Sequence, residues 1–498
     1  MSQTKTNIAN QQQVEPTKEP ALRLLIDGGW RLSAAKQSEP VFNPANGSVL
    51  ARVPMCGAEE IDVAVQAAHH AFPQWRDTPV VDRVQYLFRY KQVLEENFSE
   101  LARLVTQENG KTLTDAQGEV RRGIEVVDFA CGMPTLMMGE TLDQIAAGID
   151  SHTVRVPVGV VGGICPFNFP AMIPLWMFPL AIAAGNTFVL KPSERTPMTA
   201  VRLGELAVEA GLPNGVLNIV HGARAAVDAL LEHPEVRAIS FVGSAPVAKY
   251  VYSRAAAHGK RVQALAGAKN HLLVMPDADM DLTVRAILGS AFGAAGQRCL
   301  AGSVAVAAER IADPLLNRLC KEAGAMRVGD GLQQDSAMGP LVRSDARQRV
   351  LGYIEKGLQE GARLALDGRQ ARTPGGDGFF VGPTIFDDVR PEMSIAQEEI
   401  FGPVLSCMRV SDLEEAIAVI NRSRFGNAAS IFTRSGEAAR IFRTRVEAGM
   451  VGINIGVAAP MAFFPFAGWK GSFFGDLHAT GKDGMRFYTE TRVVIERW

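Results

Sequence analysis

An α/β fold with parallel sheets is predicted by two features of the sequence. From Val158 onward, short runs rich in β-branched residues alternate with segments of helical periodicity. Those runs are almost continuously apolar, as strands covered on both faces must be. Helices placed between such strands cover both faces of a parallel sheet. Composition agrees. The 498 residues suffice for about two to four domains. With 47% apolar and 21% charged residues, the chain is that of a globular protein.

The elements follow in order. VGVVGGI (158–164) reads as a buried strand and 171–185 as a helix packed on both sides. NTFVLKPS (186–193) is a strand, 197–211 a helix ending at glycine, VLNIVHG (216–222) a strand and 223–233 a helix. AISFVG (238–243), the helix 244–259 and the strand RVQALAG (261–267) close a first series. A second series starts at HLLVMPDA (271–278), with strands near 303–309, 406–410 and 429–433, each leading into a helix. Ligands of such sheets sit at the carboxyl ends of the strands. The β-rich end, TRVVIERW, has no obvious local partner and is expected to add to another subunit's sheet.

Several functional classes are excluded. With 51 Lys+Arg against 53 Asp+Glu, the net charge of −2 lacks the basic footprint of a nucleic-acid binder. Six cysteines without CxxC or Cys/His ligand spacing predict a reducing cytoplasm and no metal. Residues 1–20 read as a polar, mobile tail without the apolar core of a secretory signal. Between Arg155 and Lys191 no side chain is charged, which imitates a membrane span. Five prolines and four glycines divide that stretch into strand, turn and helix, so no membrane is expected.

Candidate chemistry lies at the ends of the strands. Cys299, in GAAGQRCLAG, follows Arg298 and is surrounded by small residues that let a substrate reach its sulfur. Asn168, in PFNFP, could donate its amide to a developing oxyanion, or simply occupy a turn. Lys191 and Glu194, in LKPSE, suit ribose hydroxyls. A carboxylate there would repel a 2′-phosphate and favours NAD over NADP. Gly243 and Ser244 open a helix whose N–H groups suit a pyrophosphate. Glu398 and Glu399 stand together in QEEIFGPV; either could hold a ribose or be surface charge.

Taken together, PFNFP, LKPSE, FVGS, GQRC and EEIFGPV resemble the aldehyde dehydrogenase superfamily in order and spacing, over roughly residues 22–498. The resemblance implies two Rossmann-like α/β domains and a β arm. The NAD-binding domain would comprise 21–139 and 158–265, the catalytic domain 266–479, and the oligomerisation arm 140–157 and 480–498. It implies that Cys299 is the nucleophile. Asn168 and the Cys299 N–H would form the oxyanion site. Phe167, Lys191, Glu194, Gly243, Ser244, Glu399 and Phe401 would contact NAD, and a homotetramer is implied.

Two departures carry information. Hydrolytic members show E-L-G-G-K, whose Glu activates water. Here the matching stretch is LAGAK (265–269), with Leu265 at the Glu position. Ala248 replaces the usual Gly of G-S-x-x-x-G and could crowd the pyrophosphate. A thiol needs less help than water to attack a thioester, so loss of the base favours coenzyme A as acceptor. GAKNH (267–271), SAFGAAGQRCLA (290–301), LMMGET (136–141) and FYTETR (487–492) resemble the CoA-acylating methylmalonate-semialdehyde and malonate-semialdehyde dehydrogenase branch. That branch implies NAD-dependent oxidative decarboxylation to acetyl-CoA or propanoyl-CoA. For the substrate carboxylate, Arg298 and Arg122 are the candidates, with Arg121 competing. A hydrolytic dehydrogenase releasing the free acid, and a binding protein on a retired dehydrogenase fold, are the alternatives.

Overall fold

The computed structural model describes residues 19–371, 373 and 376–498. The predicted tail, 1–20, lies outside them except for Glu19 and Pro20.

The first series of apolar runs builds an eight-stranded sheet. Its five central strands are parallel, in the spatial order Leu217–Ile219, Thr187–Lys191, Val160–Ile164, Val236–Val242, Arg261–Leu265. Leu24–Ile26 and Phe473–Gly475 add antiparallel at the two sides. Strand order reverses next to Val160–Ile164: the chain first steps one way to 187–191, then returns to the other side at 236–242. A crevice opens at such a switch point, at the carboxyl ends of the strands. Residues 165–168 and 243–244, which follow these two strands, therefore face it.

Every residue of the helix Met172–Ala183 is buried, which explains the uncharged stretch around it. No helix among the described residues is long and apolar enough to cross a membrane.

The second series builds a seven-stranded sheet in the order Arg363–Leu366, Thr384–Asp387, Val404–Val410, Gly302–Ala308, Asn270–Val274, Ala428–Phe432, Met450–Ile453. All neighbours are parallel except the first pair. Cys299, Lys269 and Asn427 each sit just before one of its strands, so this sheet presents its amino ends to the site.

The end of the chain has a partner that its local sequence does not reveal, within the arm expected from 140–157 and 480–498, and it keeps one edge unpaired among the described residues. Thr489–Arg497 pairs within its own chain, antiparallel to Ile149–Pro157, from Thr489↔Pro157 to Arg497↔Ile149. Thr141–Ala146 completes this three-stranded sheet. The partner is more than 300 positions away in sequence, beyond any local pattern.

Candidate active site

Cys299 lies between two cavities and is the one residue lining both, among the described residues. The larger, about 680 Å³, is a trough along the carboxyl ends of the first sheet. The smaller, about 330 Å³, runs toward the surface between the helix Leu113–Cys131 and residues 457–466.

The backbone at Cys299 is held firmly. Its carbonyl accepts from Asn270 Nδ2 at 2.8 Å and from Asn427 Nδ2 at 2.9 Å. The loop before it is strained: Ala294 and Ala295 both take left-handed conformations, φ 50° and 52°. Asp115 ties this loop down, accepting from the Ala294 N–H at 3.1 Å and from the Arg298 guanidinium. That guanidinium lies flat against Gly293, where a Cβ would come within 2.6 Å of it. Burial, reinforced by the Glu399 carboxylate, pushes the Cys299 thiol up to about 12. The free protein should therefore hold a thiol at neutral pH. Alkylation of Cys299 by iodoacetamide, followed by peptide mass spectrometry, should rise about tenfold per pH unit from neutrality to about pH 10. A plateau at lower pH would show that the free thiol is already activated.

Asn168 is buried and donates from Nδ2 to the Gln297 carbonyl at 3.0 Å. An amide nitrogen carries two hydrogens, so one remains for a ligand. Asn168 and Cys299 share the trough.

Phe167, Lys191, Glu194, Gly243, Ser244, Glu399 and Phe401 all line the trough. Phe167 and Phe401 meet edge to face, 5.7 Å between centroids. Lys191 Nζ donates to the Gly222 carbonyl at 2.9 Å and lies 3.3 Å from Glu194 Oε2. Burial raises the Glu194 carboxyl, but Lys191, a backbone N–H and Arg195 together outweigh it and hold the carboxyl below its usual range. Ser244 caps the 13-residue helix Ala245–Ala257 without a side-chain hydrogen bond. That leaves its first N–H groups for an anion. Glu399 accepts from the Ala268 N–H at 3.0 Å. It presses so closely on Gly267 that a Cβ there would fall 2.5 Å from Oε2. Burial raises its carboxyl to about 7. A dinucleotide fits this donor set: helix N–H groups for the pyrophosphate, and Glu194 and Glu399 for ribose hydroxyls.

Three open questions from the sequence resolve here. Glu398 points away from the trough: it accepts from Tyr353 Oη at 2.6 Å and pairs with Lys356 at 3.5 Å. Ala248 does not line the trough. It is fully buried, packed beneath its helix, so its methyl adds to the core rather than crowding a pyrophosphate. Arg121 pairs with Glu95 at 2.5 Å and lies over Phe98, outside the small cavity, whereas Arg122 lines it.

Arg298 also lines the small cavity, already paired with Asp115. Arg122 is held more loosely, 3.4 Å from Glu125 and 3.0 Å from Met461 Sδ. Sequence reasoning missed Lys111, Asp115 and Glu119, which line the same cavity. Asp115, Glu119 and Arg122 are spaced i, i+4, i+7, one face of the helix Leu113–Cys131. That spacing was the available signal. Leu265 is buried among apolar side chains and lines neither cavity; it is paired in its sheet with Val242 and Phe473, and its carbonyl accepts from the Gly243 N–H.

The aldehyde dehydrogenase family model matches residues 30–494. A malonate-semialdehyde dehydrogenase of Geobacillus kaustophilus is 58% identical over 477 residues, covering 96% of this chain and 99% of the relative. A crystal structure of methylmalonate-semialdehyde dehydrogenase from Oceanimonas doudoroffii superposes with a TM-score of 0.95 at 48% identity. It covers 96% of this chain and 98% of its own. A Sinorhizobium meliloti protein assigned as a methylmalonate-semialdehyde dehydrogenase, and solved with NAD, gives 0.95 at 44% identity, covering 97% and 99%.

Proposed function

The chain belongs to the aldehyde dehydrogenase family, and we propose that it carries out NAD-dependent, CoA-acylating oxidative decarboxylation of malonate semialdehyde or its 2-methyl homologue. The observation that carries this reading is the position of Cys299 between the two cavities. The relatives named above support the substrate class.

The Cys299 thiol loses its proton to solvent as the substrate binds, and the thiolate attacks the aldehyde carbon from the small cavity. Asn168 Nδ2 and the Cys299 N–H receive the oxyanion as the carbonyl becomes tetrahedral. Arg122 and Arg298 hold the substrate carboxylate in a cavity whose apolar wall includes Phe169, Trp176 and Phe466. In the trough, Lys191, Glu194, Gly243, Ser244 and Glu399 would hold NAD, with Phe167 and Phe401 beside its nicotinamide. When bound there, NAD supplies the hydride acceptor. Oxidation leaves an acyl thioester on Cys299. Its carbonyl accepts the electron pair as the β-carboxylate leaves as CO2, and the resulting carbanion takes a proton. The CoA thiolate then attacks, releasing the acyl group as acetyl-CoA or propanoyl-CoA and Cys299 as thiolate.

The same reading covers the assembly. The domain division stated above, a cytoplasmic location and a homotetramer built through the arm belong to it. Exposed Leu142, Ile145, Val493 and Ile495 on the three-stranded sheet support an arm that meets another subunit.

Malonate semialdehyde, NAD and CoA are expected to give acetyl-CoA, CO2 and NADH in equal amounts, measured by mass spectrometry and absorbance. Free acid in place of acyl-CoA would overturn the acylating reading. Arg122→Leu should lower kcat/KM for malonate semialdehyde about 10- to 100-fold, as loss of a charge-assisted contact does. Propanal, which has no carboxylate, should be nearly unaffected. An equal fall for both aldehydes would remove Arg122 from carboxylate recognition.

A further inference from the structure

One buried ion pair beside the small cavity has no part in the scheme above. Lys111 and Glu119 are almost wholly shielded from solvent, at 1% and 0% side-chain exposure. Lys111 Nζ donates to Glu119 Oε2 at 2.5 Å and to the backbone carbonyl of Asn168 at 2.6 Å. It also lies 4.2 Å above the centre of the Phe169 ring. Glu119 Oε1 accepts from the N–H groups of Ala171 at 2.8 Å and Met172 at 3.1 Å. These residues open the helix Met172–Ala183, whose own N-cap, Ala171, has no side chain able to cap it.

The pair therefore grips the segment 168–172 from two directions. The ammonium draws the Asn168 carbonyl to one side; the carboxylate anchors the two N–H groups just beyond. Asn168 is left with one side-chain hydrogen bond, to Gln297. The direction of its amide thus depends on where the backbone of residue 168 is held. Buried ion pairs contribute little net stability, because desolvation offsets their attraction. This pair touches the backbone of the oxyanion donor itself. A misplacement of about 1 Å in such a group costs about 10²-fold in rate.

We propose that Lys111 and Glu119 are positioning residues that set the Asn168 amide for the developing oxyanion. The proposal rests on the reading of Asn168 as that donor.

The test is a double-mutant cycle read in the pre-steady-state burst of NADH, with malonate semialdehyde, NAD and no CoA. Glu119→Gln is isosteric and keeps an oxygen for the N–H groups of Ala171 and Met172. Lys111→Met/Glu119→Gln removes both charges and leaves neither unpaired. Each is expected to slow the burst about 10- to 100-fold, with NAD affinity and aldehyde KM changed by less than about twofold. Asn168→Ala is expected to slow it about 10²- to 10³-fold. Placed in the Asn168→Ala background, the Lys111 and Glu119 changes should then cost less than about twofold.

Losses that multiply in that background, or that fall on KM and NAD affinity instead, overturn the positioning role and leave the Asn168 reading intact. If Asn168→Ala itself leaves the burst unchanged, the oxyanion assignment fails and the proposal falls with it. Should the double variant not fold, the Glu119→Gln arm of the cycle decides alone.

Discussion

Cys299→Ala should form no NADH from aldehyde above the uncatalysed background, in the burst or in the steady state. The loss should be at least about 10⁴-fold, the scale seen when a covalent nucleophile is removed. The substitution deletes one sulfur atom and little else. The Cys299 carbonyl stays bound to Asn270 and Asn427, and the strained loop stays tied to Asp115 through Ala294 and Arg298. NAD affinity, measured by quenching of intrinsic fluorescence, should therefore stay within about twofold, because the trough keeps every other contact. That combination separates loss of chemistry from loss of fold. Retained NADH formation would rule out a thioester on Cys299.

The second large effect concerns the acceptor. Without CoA, the protein should release one NADH per active site and then stall; CoA should restore turnover, raising the steady rate at least about 10²-fold. The reasoning starts at Leu265. A general base is worth about 10²–10⁴ in rate, and the side chain at this position has no atom that can accept a proton. It is buried among apolar neighbours, and no water-activating carboxylate takes its place there. Glu399 is the carboxylate beside Cys299, and it is held by the Ala268 N–H against Gly267. A thiol attacks a thioester with less assistance than water, being partly ionised near neutrality and intrinsically nucleophilic. Stopped-flow absorbance with and without CoA measures both phases. Undiminished turnover without CoA would mean that another base activates water, and the hydrolytic alternative would replace the acylating one.

The positions of both sheets were legible because buried parallel strands leave a simple mark. VGVVGGI and AISFVG are apolar throughout, and they form Val160–Ile164 and Val236–Val242. Cys299, Asn168 and the trough residues were legible because they occupy short stretches whose neighbours are small or turn-forming. The carboxylates of the small cavity were not. Asp115 and Glu119 lie on a helix with polar residues on several faces, where an acidic side chain usually marks solvent. Glu119 is buried and Asp115 half-buried because of what packs against that helix, namely the segment 168–172 and Arg298.

The sequence by itself determined the α/β class, the order of the sheets' strands along the chain and the residue types at the site, because local periodicity and turn chemistry act within a few residues. Tertiary structure alone placed Arg122 rather than Arg121 at the small cavity, and Glu399 rather than Glu398 at the trough. Adjacent residues on one element point in different directions, and only packing determines which direction is the cavity. It also turned Ala248 into the core, and it paired Thr489–Arg497 with Ile149–Pro157 of the same chain. Such contacts join residues hundreds of positions apart. Their free energy exists only once the intervening chain has folded and brought them together.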